Sequence, residues 1–174
     1  MRCPHNGEVT NPHLSKDHEL LGLAVDVAHA ARAHGNHPFG ALLADENGRV
    51  LLTAENTVVT ESDATGHAET NLVRLATKNY SRQMLAPTSL YTSTEPCAMC
   101  AGALYWSGIG RLVYALGEDE LHELVGKDPE NPTMALPSRT VLGAGQRTIQ
   151  VVGPVDLPAA REVHARFWRQ HGPS

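Results

Sequence analysis

The segment TEPCAMCAG, residues 94–102, restricts the possible folds more than any other stretch of the chain. Cys97 and Cys100 stand three positions apart directly behind Pro96, a spacing that puts both side chains on one face of the first turn of a helix. The chain has one other cysteine, Cys3. Three thiols cannot all pair with one another, and in a reducing compartment a C-x-x-C pair is more often a metal or redox site than a structural bridge. Cys3, in a terminal stretch containing Pro and His, is assigned no role. A fold that serves the pair must bring a further side chain to this helix start from elsewhere.

Thirty residues before Cys97, the tripeptide HAE, His67-Ala68-Glu69, offers that side chain. A catalytic Zn²⁺ commonly takes three protein ligands from Cys and His and leaves a fourth, tetrahedral position for water. His67, Cys97 and Cys100 make up such a set. Helix starts carry unpaired N–H groups and a partial positive charge, which favour thiolate over thiol, and a metal would deprotonate both cysteines. Glu69 is near enough to reach a water at the ion without being a ligand, which suits a proton carrier. Plainer readings stay open. They are a helix-cap histidine with two buried thiols, a structural zinc completed by a fourth side chain, and a carboxylate that only complements a helix dipole.

Hydropathy patterning supplies the frame. Leu20, Leu21, Ala24, Val27, Ala28 and Ala31 recur at helical spacing between Ser15, a possible N-cap, and Gly35. FGALLAD and RVLLTAENT, separated by Glu46-Asn47-Gly48, predict a hairpin of two antiparallel strands. HAETNLVRLATKNY predicts a helix with His67 on its first turn. SLYTST predicts a short buried strand, CAMCAGALYWSG a helix ended by Gly108, and RLVYAL another strand. Beyond these, GEDELHELVG predicts a short helix, Lys127 to Pro137 a loop and RTIQVVGP a last strand. LPAAREVHARFWRQH predicts a terminal helix that turns Ala160, Val163, Ala165 and Phe167 to the core. Strands alternating with helices after an initial hairpin give an α/β fold, a three-layer α/β/α sandwich around a mixed five-stranded sheet.

The 174 residues, 41% of them hydrophobic, suit one domain over 1–174, with no repeat or linker to divide it. No apolar run nears the roughly 20 residues that span a bilayer, and the first residues lack the apolar stretch of a secretion signal. A cytoplasmic protein without a membrane partner is expected. Fourteen basic against nineteen acidic residues give a net charge of -5, which disfavours a polyanionic partner such as nucleic acid. Of the ten histidines, those other than His67 show no metal spacing. His122 and His164 are read as solvent-side helix residues.

H-x-E followed by P-C-x-x-C is the signature of zinc nucleobase deaminases. The chain resembles the cytidine deaminase-like superfamily, and HPFGALLAD, AENTVV, DATGHAE and TSLYTSTEPCAMCAGALYWSGIGRLVYA look like its guanine deaminase and tRNA adenosine deaminase branch. The resemblance runs from about Ser15 to Leu116. It implies one Zn²⁺ per chain, a homodimer, and hydrolytic deamination in which Glu69 moves protons from water to the ring nitrogen and the departing amine. It also implies that Asn56 hydrogen-bonds the base and that Phe39 and Trp106 line its pocket. A turn asparagine and two core aromatics are the alternatives. A second acidic residue downstream handles the amine in relatives of the guanine deaminase type. Here Glu118, Asp119, Glu120, Glu123 and Asp128 are available, and no motif selects one.

The resemblance implies a small nucleobase as substrate, guanine first, with cytosine-like or related aminated heterocycles next. A tRNA-specific adenosine deaminase, a nucleoside deaminase and a non-catalytic zinc module are the competing readings. The tRNA reading calls for a basic face, whereas Arg161, Arg166 and Arg169 are spaced like a solvated helix side. The non-catalytic reading has no need of Glu69.

Overall fold

The computed structural model describes residues 12–126, 132 and 134–168, so Cys3, Asp128 and Arg169 lie outside it. Helix α1 (Pro12–Ala33) starts three residues before Ser15 and buries Leu20, Leu21, Ala24, Ala28 and Ala31 along one face. It ends as expected: Gly35 takes φ 88, and the Asn36 N–H returns to the Ala31 carbonyl at 2.9 Å. The hairpin of β1 (Gly40–Ala44) and β2 (Val50–Glu55) is antiparallel. A Cβ on Gly40 would run into the α1 backbone at Ala24 and Ala28, so glycine lets the helix lie directly on the strand.

The chain continues through α2 (Val58–Glu61), α3 (Ala68–Asn79), α4 (Arg82–Leu85), β3 (Ser89–Thr94), α5 (Ala98–Ser107) and β4 (Arg111–Leu116). It closes with α6 (Glu118–Val125), α7 (Ser138–Gly143), β5 (Gln150–Val152) and α8 (Pro158–Glu162). The sheet order is β2-β1-β3-β4-β5, antiparallel through β3 and parallel from β3 to β5. Side chains alternate across it. Leu42, Ala44, Tyr91 and Val113 face one core with residues of α1, α6 and α8, while Ala41, Leu43, Leu90 and Leu112 face another with residues of α3, α5 and α7. The mixed five-stranded sheet in an α/β frame is as the sequence predicts.

The carboxyl-terminal part departs from expectation. The terminal helix is short: α8 stops at Glu162, and Arg166 takes φ 61. Helical spacing therefore fails beyond it. Ala165 is exposed and Trp168 takes its place in the core. His164, expected at the surface, is 2% exposed. Its Nε2 lies 3.3 Å from Thr94 Oγ1, and its Nδ1 accepts from the Trp168 indole at 3.2 Å. Burial pulls its pKa down to about 3. His122 is exposed, as read.

A buried ion pair ties α1 to the sheet. Asp17 accepts two hydrogen bonds from the Arg111 guanidinium, at 2.7 and 3.0 Å, and one from the Tyr91 hydroxyl at 2.8 Å. Burial, with the Asp17 carboxylate beside it, pushes Tyr91 up to about 12. Arg111→Met strands the carboxylate under the helix, and a loss of about 3 kcal/mol is expected in urea unfolding. A midpoint matching that of the parent chain would show that the pair contributes nothing.

Candidate active site

β3 runs into Glu95, Pro96 and Cys97, and α5 starts from there. Cys97 is the N-cap of α5, at φ -62 and ψ 170, and His67 is the N-cap of α3, at φ -68 and ψ 148. His67 thus stands one residue before the first turn on which the sequence places it. An N-cap residue is not yet helical, so its side chain reaches across the helix end where backbone N–H groups lack partners. Two such ends, with Cys100 on the first turn of α5, bring the ligand atoms of His67, Cys97 and Cys100 within 4.8 Å of one another.

His67 Nδ1 lies 3.6 Å from both sulfurs. A Zn–N bond near 2.0 Å and a Zn–S bond near 2.3 Å at a tetrahedral angle require about 3.5 Å between nitrogen and sulfur, so the three residues fit a zinc ion. The Thr70 hydroxyl, 3.3 Å from Cys100 Sγ, is a further contact that the motif does not announce. Hydrogen bonds from Cys100 and His67 draw the Cys97 thiol down to about 4. Cys100 is pushed up by that neighbour and by burial, and His67 is raised, chiefly by its bond to Cys97.

Glu69 sits on the first turn of α3, 5% exposed, with Oε1 accepting from Thr92 Oγ1 at 2.9 Å. Burial raises its pKa, so the carboxyl holds a proton more readily than in water. It opens on a cleft of about 350 Å³ that it shares with His67 and Cys97.

Two of the three expected substrate contacts reach this cleft. Asn56 is 1% exposed. Its Oδ1 accepts from the Val58 amide at 3.1 Å, a turn role, and its Nδ2 has no partner among the described residues, so it is left to the cleft. Phe39 also lines the cleft, with the His164 ring at 5.1 Å. Trp106 does not. Cys100, Ala101 and Leu104 form the buried side of α5, and Trp106 projects from the other side, 74% exposed. Its resemblance-based place in the pocket is therefore not found in this chain.

The structure adds cleft residues that local sequence did not mark, among them His37, Glu95, Met99 and Met134. It also selects Glu118 from the downstream acids. Burial, then the negative charge of Cys97, lifts the Glu118 carboxyl to about 7.

Residues 14–116 match the family described as the cytidine and deoxycytidylate deaminase zinc-binding region. The chain belongs to that family. It is a zinc-binding deaminase, a hydrolase of C–N bonds. It is 45% identical over 153 residues to a probable cytosine deaminase of Schizosaccharomyces pombe, covering 88% of this chain and 93% of the relative. A tRNA-specific adenosine deaminase of Haemophilus influenzae is 36% identical over 102 residues, 59% of each chain. The solved structure of a guanine deaminase from Nitrosomonas europaea superposes with a TM-score of 0.69 at 28% identity, over 94% of this chain and 97% of that one.

Proposed function

We propose that this single deaminase domain hydrolyses the exocyclic amine of a small free nucleobase, cytosine or a close analogue first and guanine next. One zinc ion would be held by His67, Cys97 and Cys100. The observation that carries this is the buried Glu69 carboxylate in one cleft with the three converging ligand atoms. Zinc, when bound, supplies the Lewis acidity that makes a water nucleophilic near neutral pH. Glu69 accepts a proton from the attacking water, returns it to the ring nitrogen, and delivers the next to the amine. The amine-bearing carbon gains a carbonyl oxygen and ammonia leaves. Thr92 fixes the Glu69 carboxylate, Asn56 Nδ2 donates to an oxygen of the base, and Phe39 offers a ring face.

The order of bases reverses the one expected from the resemblance, because the extensive likeness to a probable cytosine deaminase supports cytosine. A net charge of -5 opposes the phosphate contacts a tRNA substrate needs. The test is ammonia release from cytosine, guanine, adenine, their nucleosides and a tRNA anticodon stem. Cytosine turnover is expected; turnover confined to the tRNA overturns the reading, and turnover of nucleosides alone makes it a nucleoside deaminase.

A cytoplasmic homodimer completes the proposal. Among the described residues no helix is long and apolar enough to cross a membrane. Met99 and Trp106, 38% and 74% exposed on one side of α5, form an apolar stripe suited to a second copy of the chain. Light scattering at micromolar concentration should give twice the chain mass of 18.7 kDa. A monomeric mass rules the dimer out.

A further inference from the structure

Glu95 precedes Pro96 and Cys97, and its buried carboxylate divides its two oxygens between distant parts of the chain. Oε2 accepts from the Glu118 backbone N–H at 3.2 Å, while Oε1 accepts from the Ser138 N–H at 2.9 Å and the Ser138 hydroxyl at 2.7 Å. Its own N–H donates to the Leu116 carbonyl at 2.7 Å. Residues 118 and 138 begin α6 and α7, and one side chain holds both.

Glu95, Glu118 and Met134 also form the wall between the 350 Å³ cleft and a second cavity of about 620 Å³ beneath α6 and α7. We infer that Glu95 is a positioning residue. From the turn that carries Cys97, it sets where the Glu118 carboxylate and this wall stand over the cleft. The inference rests on the cleft being the site of deamination. It goes further by assigning that side chain a part in the reaction without contact with substrate or metal.

The chemistry of the contact identifies the substitution that tests it. Three donors converge on the carboxylate, and a glutamine offers one accepting oxygen and an NH₂ that cannot accept. Glu95→Gln therefore leaves at least one backbone N–H of the pair unsatisfied while keeping size and packing.

The experiment compares zinc-loaded wild type, E95Q, E118Q and the double variant. It measures zinc content, amide hydrogen exchange and kcat/KM with the preferred base. E95Q is expected to keep its zinc, to exchange the amides of Glu118 and Ser138 faster, and to lose about tenfold in kcat/KM. The double variant should lie within about twofold of E118Q alone, since Glu95 acts through Glu118. Unchanged exchange at both amides, fully additive losses, or a fall in activity matched by loss of zinc would each overturn the inference. If E95Q does not fold, Ser138→Ala keeps the carboxylate and removes one of its three bonds. Faster exchange confined to the Ser138 amide then supports the clamp, and unchanged exchange overturns it. If the wild type turns over no base, the deamination reading fails separately, and the amide exchange alone decides whether Glu95 sets this wall.

Discussion

Glu69→Gln is expected to keep both fold and zinc and to lower kcat by at least about 10²-fold, the scale of a lost general acid–base group. The substitution is nearly isosteric, and the amide oxygen can still accept the 2.9 Å bond from Thr92 Oγ1. What it removes is the capacity to take up and release a proton in a site where burial already favours the protonated carboxyl. Steady-state kinetics and zinc analysis on the same samples separate the two effects. Turnover near the wild-type rate would move the proton chemistry to another group, with Glu118 the first to examine because it lines the same cleft.

Cys100→Ala and His67→Ala are each expected to reduce zinc from one ion per chain to a small residue, and activity with it. A tetrahedral site with three protein ligands has no spare donor, and among the described residues no other His, Cys, Asp or Glu joins the cluster. Cys100 is fully buried, so its truncation also leaves a small void. Cys100→Ser, which fills that void with a poorer ligand, should lose zinc comparably and thereby assign the loss to coordination. Full retention of zinc in both alanine variants would dismiss this ligand set.

The cluster of His67, Cys97 and Cys100, with Glu69 beside it, was legible because the relationships within it are local. His67 with Glu69, and Cys97 with Cys100, are pairs within one helix turn, and the proline and glycine around α5 mark where that helix starts and ends. The strands of the sheet were legible for the same reason, each being a short apolar run between turn signals. Contacts between elements distant in sequence were not. Thr92 reaching Glu69, Thr70 reaching Cys100 and Glu95 reaching Ser138 join residues whose spacing carries no periodic signal. Trp106 was assigned on the resemblance, while its angle on α5, opposite Cys100 and Leu104, turns it outward, 74% exposed. His164 and Ala165 exchanged environments because the helical pattern was carried past Glu162, where the helix stops.

The match to the deaminase family ends at residue 116, and His67, Glu69, Cys97 and Cys100 all lie before that point. Glu118, Leu121, Pro132 and Met134, which complete the cleft, lie after it. The cleft is thus lined from both sides of that boundary, by Phe39 and Asn56 before it and by Leu121, Pro132 and Met134 after it, with Glu95 bonded to both parts of the chain. A directed library at Leu121, Pro132 and Met134 would vary that lining while leaving Glu69, Glu118 and the Glu95–Ser138 contact in place.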